Sequence, residues 1–126
     1  ELRREGMAVE RNNLLHPEEK AQLSHVGTLL KGRIGPAVAS TDYMRSFAEQ
    51  IRPYIGDRKF TVLGTDGFGR SDTRRQLRKF FEVNRYYVVV AALKALADDG
   101  QIQTKMVSDA IKKYAIDTSK PAPWTV

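Results

Sequence analysis

The sequence has no cysteine and only two histidines, and both scarcities remove chemistry. Without thiols there is no disulfide, no thiolate nucleophile and no cysteine metal site, which fits a reducing compartment. Neither His16 nor His25 has a carboxylate or a second histidine at ligand spacing, which argues against a metal site. No apolar run approaches ~18 residues, so no segment reads as membrane-spanning. Ser40 and Ser71 each follow an apolar run, but neither sits in a Gly-x-Ser-x-Gly elbow and no histidine follows either. That excludes a hydrolase with the order Ser, Asp, His. Glu1-Leu2-Arg3-Arg4-Glu5 is neither an initiator methionine nor a signal peptide, and the expectation is a fragment.

What is present suits one soluble domain. The chain has 126 residues, of which 41% are hydrophobic and 29% charged, with a net charge of +6. Basic residues are densest from Arg70 to Arg85, where Arg70, Arg74, Arg75, Arg78, Lys79 and Arg85 face only Asp72 and Glu82. Such a stripe can neutralise phosphates or form a solvated helix face. Phe80 and Phe81 lie at helical spacing from Leu77 and read as core, not as stacking platforms. No helix-turn-helix, finger or RNA-binding signature accompanies the charge, so the solvated face is the favoured reading.

Short apolar runs alternate with amphipathic segments. Residues 1–35 form an ill-defined lead-in, in which His16-Pro17-Glu18-Glu19 reads as a helix start. Leu23, Val26 and Leu30 give a weak apolar stripe, before a loop at Gly32 and Gly35. Ala37–Ala39 and Phe60–Leu63 read as buried parallel strands. Between them, Thr41 or Asp42 caps a helix whose buried face would be Tyr43, Met44, Phe47, Ala48 and Ile51, ended by Pro53 and Gly56. Strand, helix, strand implies a parallel crossover. Ser71 or Asp72 caps a helix carrying Leu77, Phe80 and Phe81 inward, and Asn84 caps one buried helix running to Gly100. Thr104 starts a last helix with Val107, Ala110, Ile111 and Tyr114 on one face, and Lys112 and Lys113 in its final turn. Residues 117–126 read as an extended tail.

The segment from Leu63 to Arg74 is the most distinctive. A strand feeds a loop with Gly64, Gly67 and Gly69 that opens a helix, the order of a phosphate cradle. The spacing is not Gly-x-Gly-x-x-Gly, and no lysine stands where a phosphate loop needs one. Thr65-Asp66-Gly67 resembles the core of a thiamin diphosphate metal motif, but Asn84 comes too early for the downstream asparagine. Turn chemistry remains: Asp66 bonding its own backbone two residues on, with Gly67 and Gly69 at positive φ. Phe68 would anchor the loop or reach a partner.

Several segments together carry a more specific resemblance. These are Pro36–Met44, Ala48–Tyr54, Leu63–Asp72 (with Asp66-Gly67-Phe68-Gly69-Arg70-Ser71-Asp72 at its centre), Phe81–Val83 and Tyr87–Leu93. In this order they resemble the C-terminal domain of the homodimeric bacterial pyruvate dehydrogenases, thiamin-dependent enzymes of transketolase type. The resemblance covers nearly the whole chain, residues 1–126. It implies an α/β, three-layer transketolase C-terminal-like domain with a short, mostly parallel sheet, N-terminally truncated and lacking its first strands. It implies a cytoplasmic parent enzyme that decarboxylates pyruvate on thiamin diphosphate with magnesium and acetylates the lipoyl group of a dihydrolipoyl acyltransferase core. Partners would be the remaining domains and a second copy, with no nucleic acid and no membrane. The motifs for catalysis, cofactor and metal have no matching positions here, so the chain alone would be inactive. Asp66, Gly67, Phe68, Gly69 and Arg70 are expected to form a domain or subunit contact.

A sheet without its first strands has an open edge. The expectation is that the chain self-associates there or rearranges its N-terminal region to cover the edge. Beside the structural and dimerisation reading stand two others: a basic phosphate- or nucleic-acid-binding module using Gly64–Arg78, and a stand-alone α/β ligand binder.

Overall fold

Two short segments of apolar and β-branched residues pair as strands, and the sheet consists of these two. A computed structural model describes all residues, Glu1–Val126. Strand β1 (Ala37–Ser40) pairs in parallel with β2 (Phe60–Leu63), with Ala37 opposite Phe60 and Ser40 opposite Leu63. Six α-helices accompany them: α1 (Leu2–Leu15), α2 (His25–Leu30), α3 (Arg45–Glu49), α4 (Arg74–Phe80), α5 (Arg85–Asp98) and α6 (Thr104–Lys113). Helix α5 packs across both strands, α6 packs on α5, and α3 borders β2. This is the small α/β arrangement that the strand–helix–strand order implies.

The lead-in differs from its sequence reading. His16 does not start a helix but closes one, as the C-cap of α1 with φ −126° and ψ 61°. Pro17 disfavours the helical conformation in the residue before it, so the proline ends α1 instead of opening α2. Helix α1 buries only Gly6 and has no apolar stripe to announce it. It forms from good helix formers such as Leu, Arg, Glu, Met and Ala. The His25 N–H donates to both carboxylate oxygens of Glu5 (3.0 and 3.1 Å), and Asn13 exchanges two hydrogen bonds with the Gln22 backbone. Helix α2 starts at Ser24, whose hydroxyl accepts from the Gly27 N–H. Residues 1–35 thus fold against each other and add no strand to the sheet.

Helix α3 is shorter than its spacing suggests. Thr41 Oγ1 accepts from the Tyr43 N–H, and Asp42 is held by Arg78, so neither caps the helix; Met44 stands at the N-cap. Of the expected buried face, Ala48 and Ile51 are half-buried, whereas Tyr43, Met44 and Phe47 are exposed. Thr73, not Ser71 or Asp72, caps α4 by accepting from the Gln76 N–H. Asn84 caps α5 as read, accepting from the N–H groups of Tyr86 and Tyr87.

Three helices end in Schellman motifs. At α5 the left-handed position is Gly100, the expected residue; at α4 and α6 it is Glu82 (φ 63°) and Ala115 (φ 49°). The tail is less extended than read. Asp117 Oδ1 accepts from the Ser119 N–H and hydroxyl, and the chain closes in a 3-10 turn, Pro123–Thr125, with Pro123 fully buried. Elsewhere the Arg58 guanidinium donates to four carbonyls, those of Leu30, Arg33, Gly35 and Ile55.

The core is small. Twelve of 126 residues are buried, centred on Val62, Phe81, Val83, Ala95, Val107 and Ala110. A compact chain of 14.2 kDa would expose roughly 6,800 Å². This one exposes 9254 Å². The surplus is partly apolar, since Leu14, Leu29, Ile34, Tyr43, Phe47 and Phe68 all face solvent.

Candidate binding cleft

The glycine loop leaves β2 at Gly64, where the chain passes close beneath the start of α3. A Cβ on Gly64 would stand 2.7 Å from the Arg45 nitrogen and 2.8 Å from the Tyr43 oxygen, so only glycine fits. The Thr65 N–H donates to the Tyr43 carbonyl (2.9 Å), and Asp66 Oδ2 accepts from the Arg45 N–H (3.2 Å). Asp66 therefore reaches across to α3 and does not close a turn on its own backbone. Its carboxylate also lies 3.1 Å from Arg45 Nε, a buried nitrogen at ion-pair distance that has no hydrogen-bond partner. The Arg45 guanidinium stacks on Trp124, 4.5 Å from the ring centroid.

Gly67 has φ 122°, and a Cβ there would meet the Pro123 oxygen at 2.7 Å. The tail thus lies directly against the loop. Gly69 has no positive φ, contrary to its sequence reading; it has open space around it and serves as an unencumbered backbone position. Phe68 is 73% exposed. Lys120 donates to the Phe80 carbonyl at the end of α4 and pairs with Glu82 at 3.0 Å, fastening the tail to the other side of α4.

Between the loop and α4 lies a cavity of about 430 Å³, bordered by Gly67–Arg70, Arg74, Leu77, Arg78, Phe81 and Asp42. Arg78 grips Asp42 through Nε and Nη2. That hydrogen bonding, reinforced by the charges of Arg78 and Arg74, holds the Asp42 carboxyl below its usual range against a smaller opposing effect of burial. Arg70 lies over the Phe80 ring at 4.1 Å. Arg74 makes no ion pair. The basic stripe therefore divides: Arg78 is neutralised, Arg85 bonds the Tyr86 hydroxyl, and Arg70 and Arg74 border the cavity. A wider groove on the other side of α4 runs past Arg75 and the stacked pair Tyr86–Tyr114.

The loop residues Asp66, Gly67, Phe68, Gly69 and Arg70 stay together, but Asp66 faces α3 and Gly67 faces the tail, while Phe68 and Arg70 face outward or into the cleft. Sequence reading missed Asp42 and the tail as members of this region. The signal available was one acidic residue just after β1 opposite a run of arginines. No three His, Cys, Asp or Glu residues come together in a way that could hold a metal ion, and the Asp66 carboxylate is engaged by Arg45. No helix is long and apolar enough to cross a membrane.

A parallel strand pair linked by α3, with the glycine loop at the end of β2, defines a known class of domain. Residues 9–84 match the transketolase-like TK C-terminal domain family, and the chain belongs to it. Its relatives include the pyruvate dehydrogenase E1 components of Cupriavidus necator (62% identical over 100% of this chain) and Pseudomonas aeruginosa (58% over 98%). That of Escherichia coli K12 is 52% identical over 98%. In each case the chain spans 14% of the relative's length and corresponds to its C-terminal portion.

Proposed function

We propose that the chain is a structural and dimerisation domain, carrying no catalytic residue, of a pyruvate dehydrogenase that decarboxylates pyruvate and acetylates the lipoyl group of an acyltransferase. In this reading residues 1–126 act as one domain, and thiamin diphosphate and magnesium are held by other parts of the enzyme. The observation that carries the reading is the surplus of roughly 2,500 Å² of exposed surface, of the order buried in an obligate interface. Identity of 62% over the whole chain to a named E1 component supports the parent activity. Its contact face would join Tyr43 and Phe47, whose rings meet edge to face at 4.8 Å, with Phe68 and Trp124. Exposed aromatics of this kind are the usual anchors of interfaces.

The test is made on the full-length protein that carries this sequence. Phe47→Lys and Phe68→Lys should each lower the assembled fraction by light scattering and reduce acetyl transfer in proportion, with thiamin diphosphate affinity unchanged. Intact assembly in the double variant would sink the contact role; loss of cofactor binding instead would place these residues in the active site.

A further inference from the structure

The cleft beneath the glycine loop holds an imbalance that the domain-contact reading does not use. Three guanidinium groups, Arg70, Arg74 and Arg78, border it, against the single carboxylate of Asp42. Arg78 and Asp42 neutralise each other, and Arg70 and Arg74 form no ion pair with any residue of the chain. Two positive charges therefore face one cavity without an ion-pair partner, and the one carboxylate near Arg74, that of Asp42, is already held by Arg78.

The loop adds a second observation of a different kind. The backbone N–H groups of residues 66–72 donate to no acceptor within the chain; the flanking ones do, Thr65 to the Tyr43 carbonyl and Thr73 to the Asp72 carboxylate. Gly67 and Gly69 can border the cavity only with backbone, since they have nothing else. Free N–H groups next to unpaired arginines make an anion site, with the forked guanidinium geometry that suits phosphate oxygens. Leu77 and Phe81 form an apolar wall, and Phe68 stands at the rim. The volume, about 430 Å³, lies within the ordinary range of small-molecule sites and exceeds what a bare phosphate fills.

We infer that this cleft binds a small phosphate ester, its dianionic head on Arg70, Arg74 and the loop backbone, its apolar or aromatic remainder against Leu77, Phe81 and Phe68. Arg74 is exposed and unbonded, so its removal leaves the fold intact.

Phenyl phosphate is a suitable probe, tested on the full-length protein. Arginine modification by phenylglyoxal, read peptide by peptide by mass spectrometry, reports on each guanidinium separately. Phenyl phosphate should slow modification of Arg70 and Arg74 several-fold and leave the distant, exposed Arg33 unchanged. Arg74→Ala should weaken phenyl phosphate binding about tenfold, a charged hydrogen bond's worth. Arg75→Ala, an equal loss of charge facing the other groove, should change it less than about twofold. Equal modification rates with and without probe would overturn the inference. So would an Arg74 already protected before probe is added, which would mean that another part of the protein fills the cleft. Phe68 belongs to both the rim and the contact face, so light scattering is read on the same samples: lost protection with assembly intact overturns this site and leaves the contact role standing.

Discussion

Ala115 and Glu82 occupy left-handed positions that favour glycine, and each has a different reason to remain. Glu82 carries the carboxylate that pairs with Lys120, so its side chain has a task that glycine could not perform. Ala115 is exposed and has no such contact. The left-handed conformation costs an L-residue roughly 1–2 kcal/mol, part of which glycine returns through its freer unfolded chain. Ala115→Gly should therefore raise stability by about 0.5–1 kcal/mol in urea titration, with an unchanged denaturant slope. Asp42 makes a case in pH. Its folded-state pKa is lowered, first by the Arg78 hydrogen bond, from the ordinary 3.8. The stability it contributes is thus fully present above 3.8 and is lost as pH falls through the lower folded value. Asp42→Asn should flatten that acid limb of the pH–stability curve, and only slightly, because the pair is well exposed.

At the scale of elements, the tail and the glycine loop behave as one unit. Gly67→Ala would combine a disfavoured φ of 122° with a collision against the Pro123 carbonyl, and something must move. The tail is the side with fewer holds, so amide hydrogen exchange over residues 121–126 should speed up markedly while α5 stays protected. Sequence legibility divided along the same physical line. Both strands, α5 with its Asn84 cap and Gly100 end, and α6 were readable because length, period and capping residues agree there. Helix α1 was not, because propensity and not an apolar stripe makes it. The true starts of α3 and α4 were hidden because two of the capping residues read from the sequence, Asp42 and Asp72, found other partners. Turn chemistry also could not say which of Gly67 and Gly69 would carry the positive φ. Half of the cleft was visible as a basic stripe; Asp42, which lines it, and Pro123, which backs its loop, come from distant parts of the chain, which local pattern cannot join.

For the whole molecule, the expected buried face of α3 is the instructive case. Tyr43, Met44 and Phe47 have the spacing of a buried face, and they are exposed because nothing in these 126 residues covers them. Under the proposed contact role, that periodicity describes a face to be covered by another part of the assembly. Prepared alone, the chain should self-associate, through this face or through the unpaired outer edges of β1 and β2. Sedimentation velocity should show mass rising with concentration, and Phe47→Lys with Phe68→Lys should shift it toward monomer if the face dominates. A single monomeric species across a broad concentration range would contradict this.

Arg58 has a consequence for chain length. The segment 31–36, with Gly32, Gly35 and a fully exposed Ile34, looks like a linker free to lengthen or shorten. Yet one guanidinium holds the carbonyls of Leu30, Arg33 and Gly35 together with that of Ile55. Its fork is planar and rigid, so the three carbonyls must arrive at fixed separations. The loop is thereby gauged to its present number of residues: substitutions at Ile34 are free, whereas insertions and deletions between Leu30 and Pro36 are not.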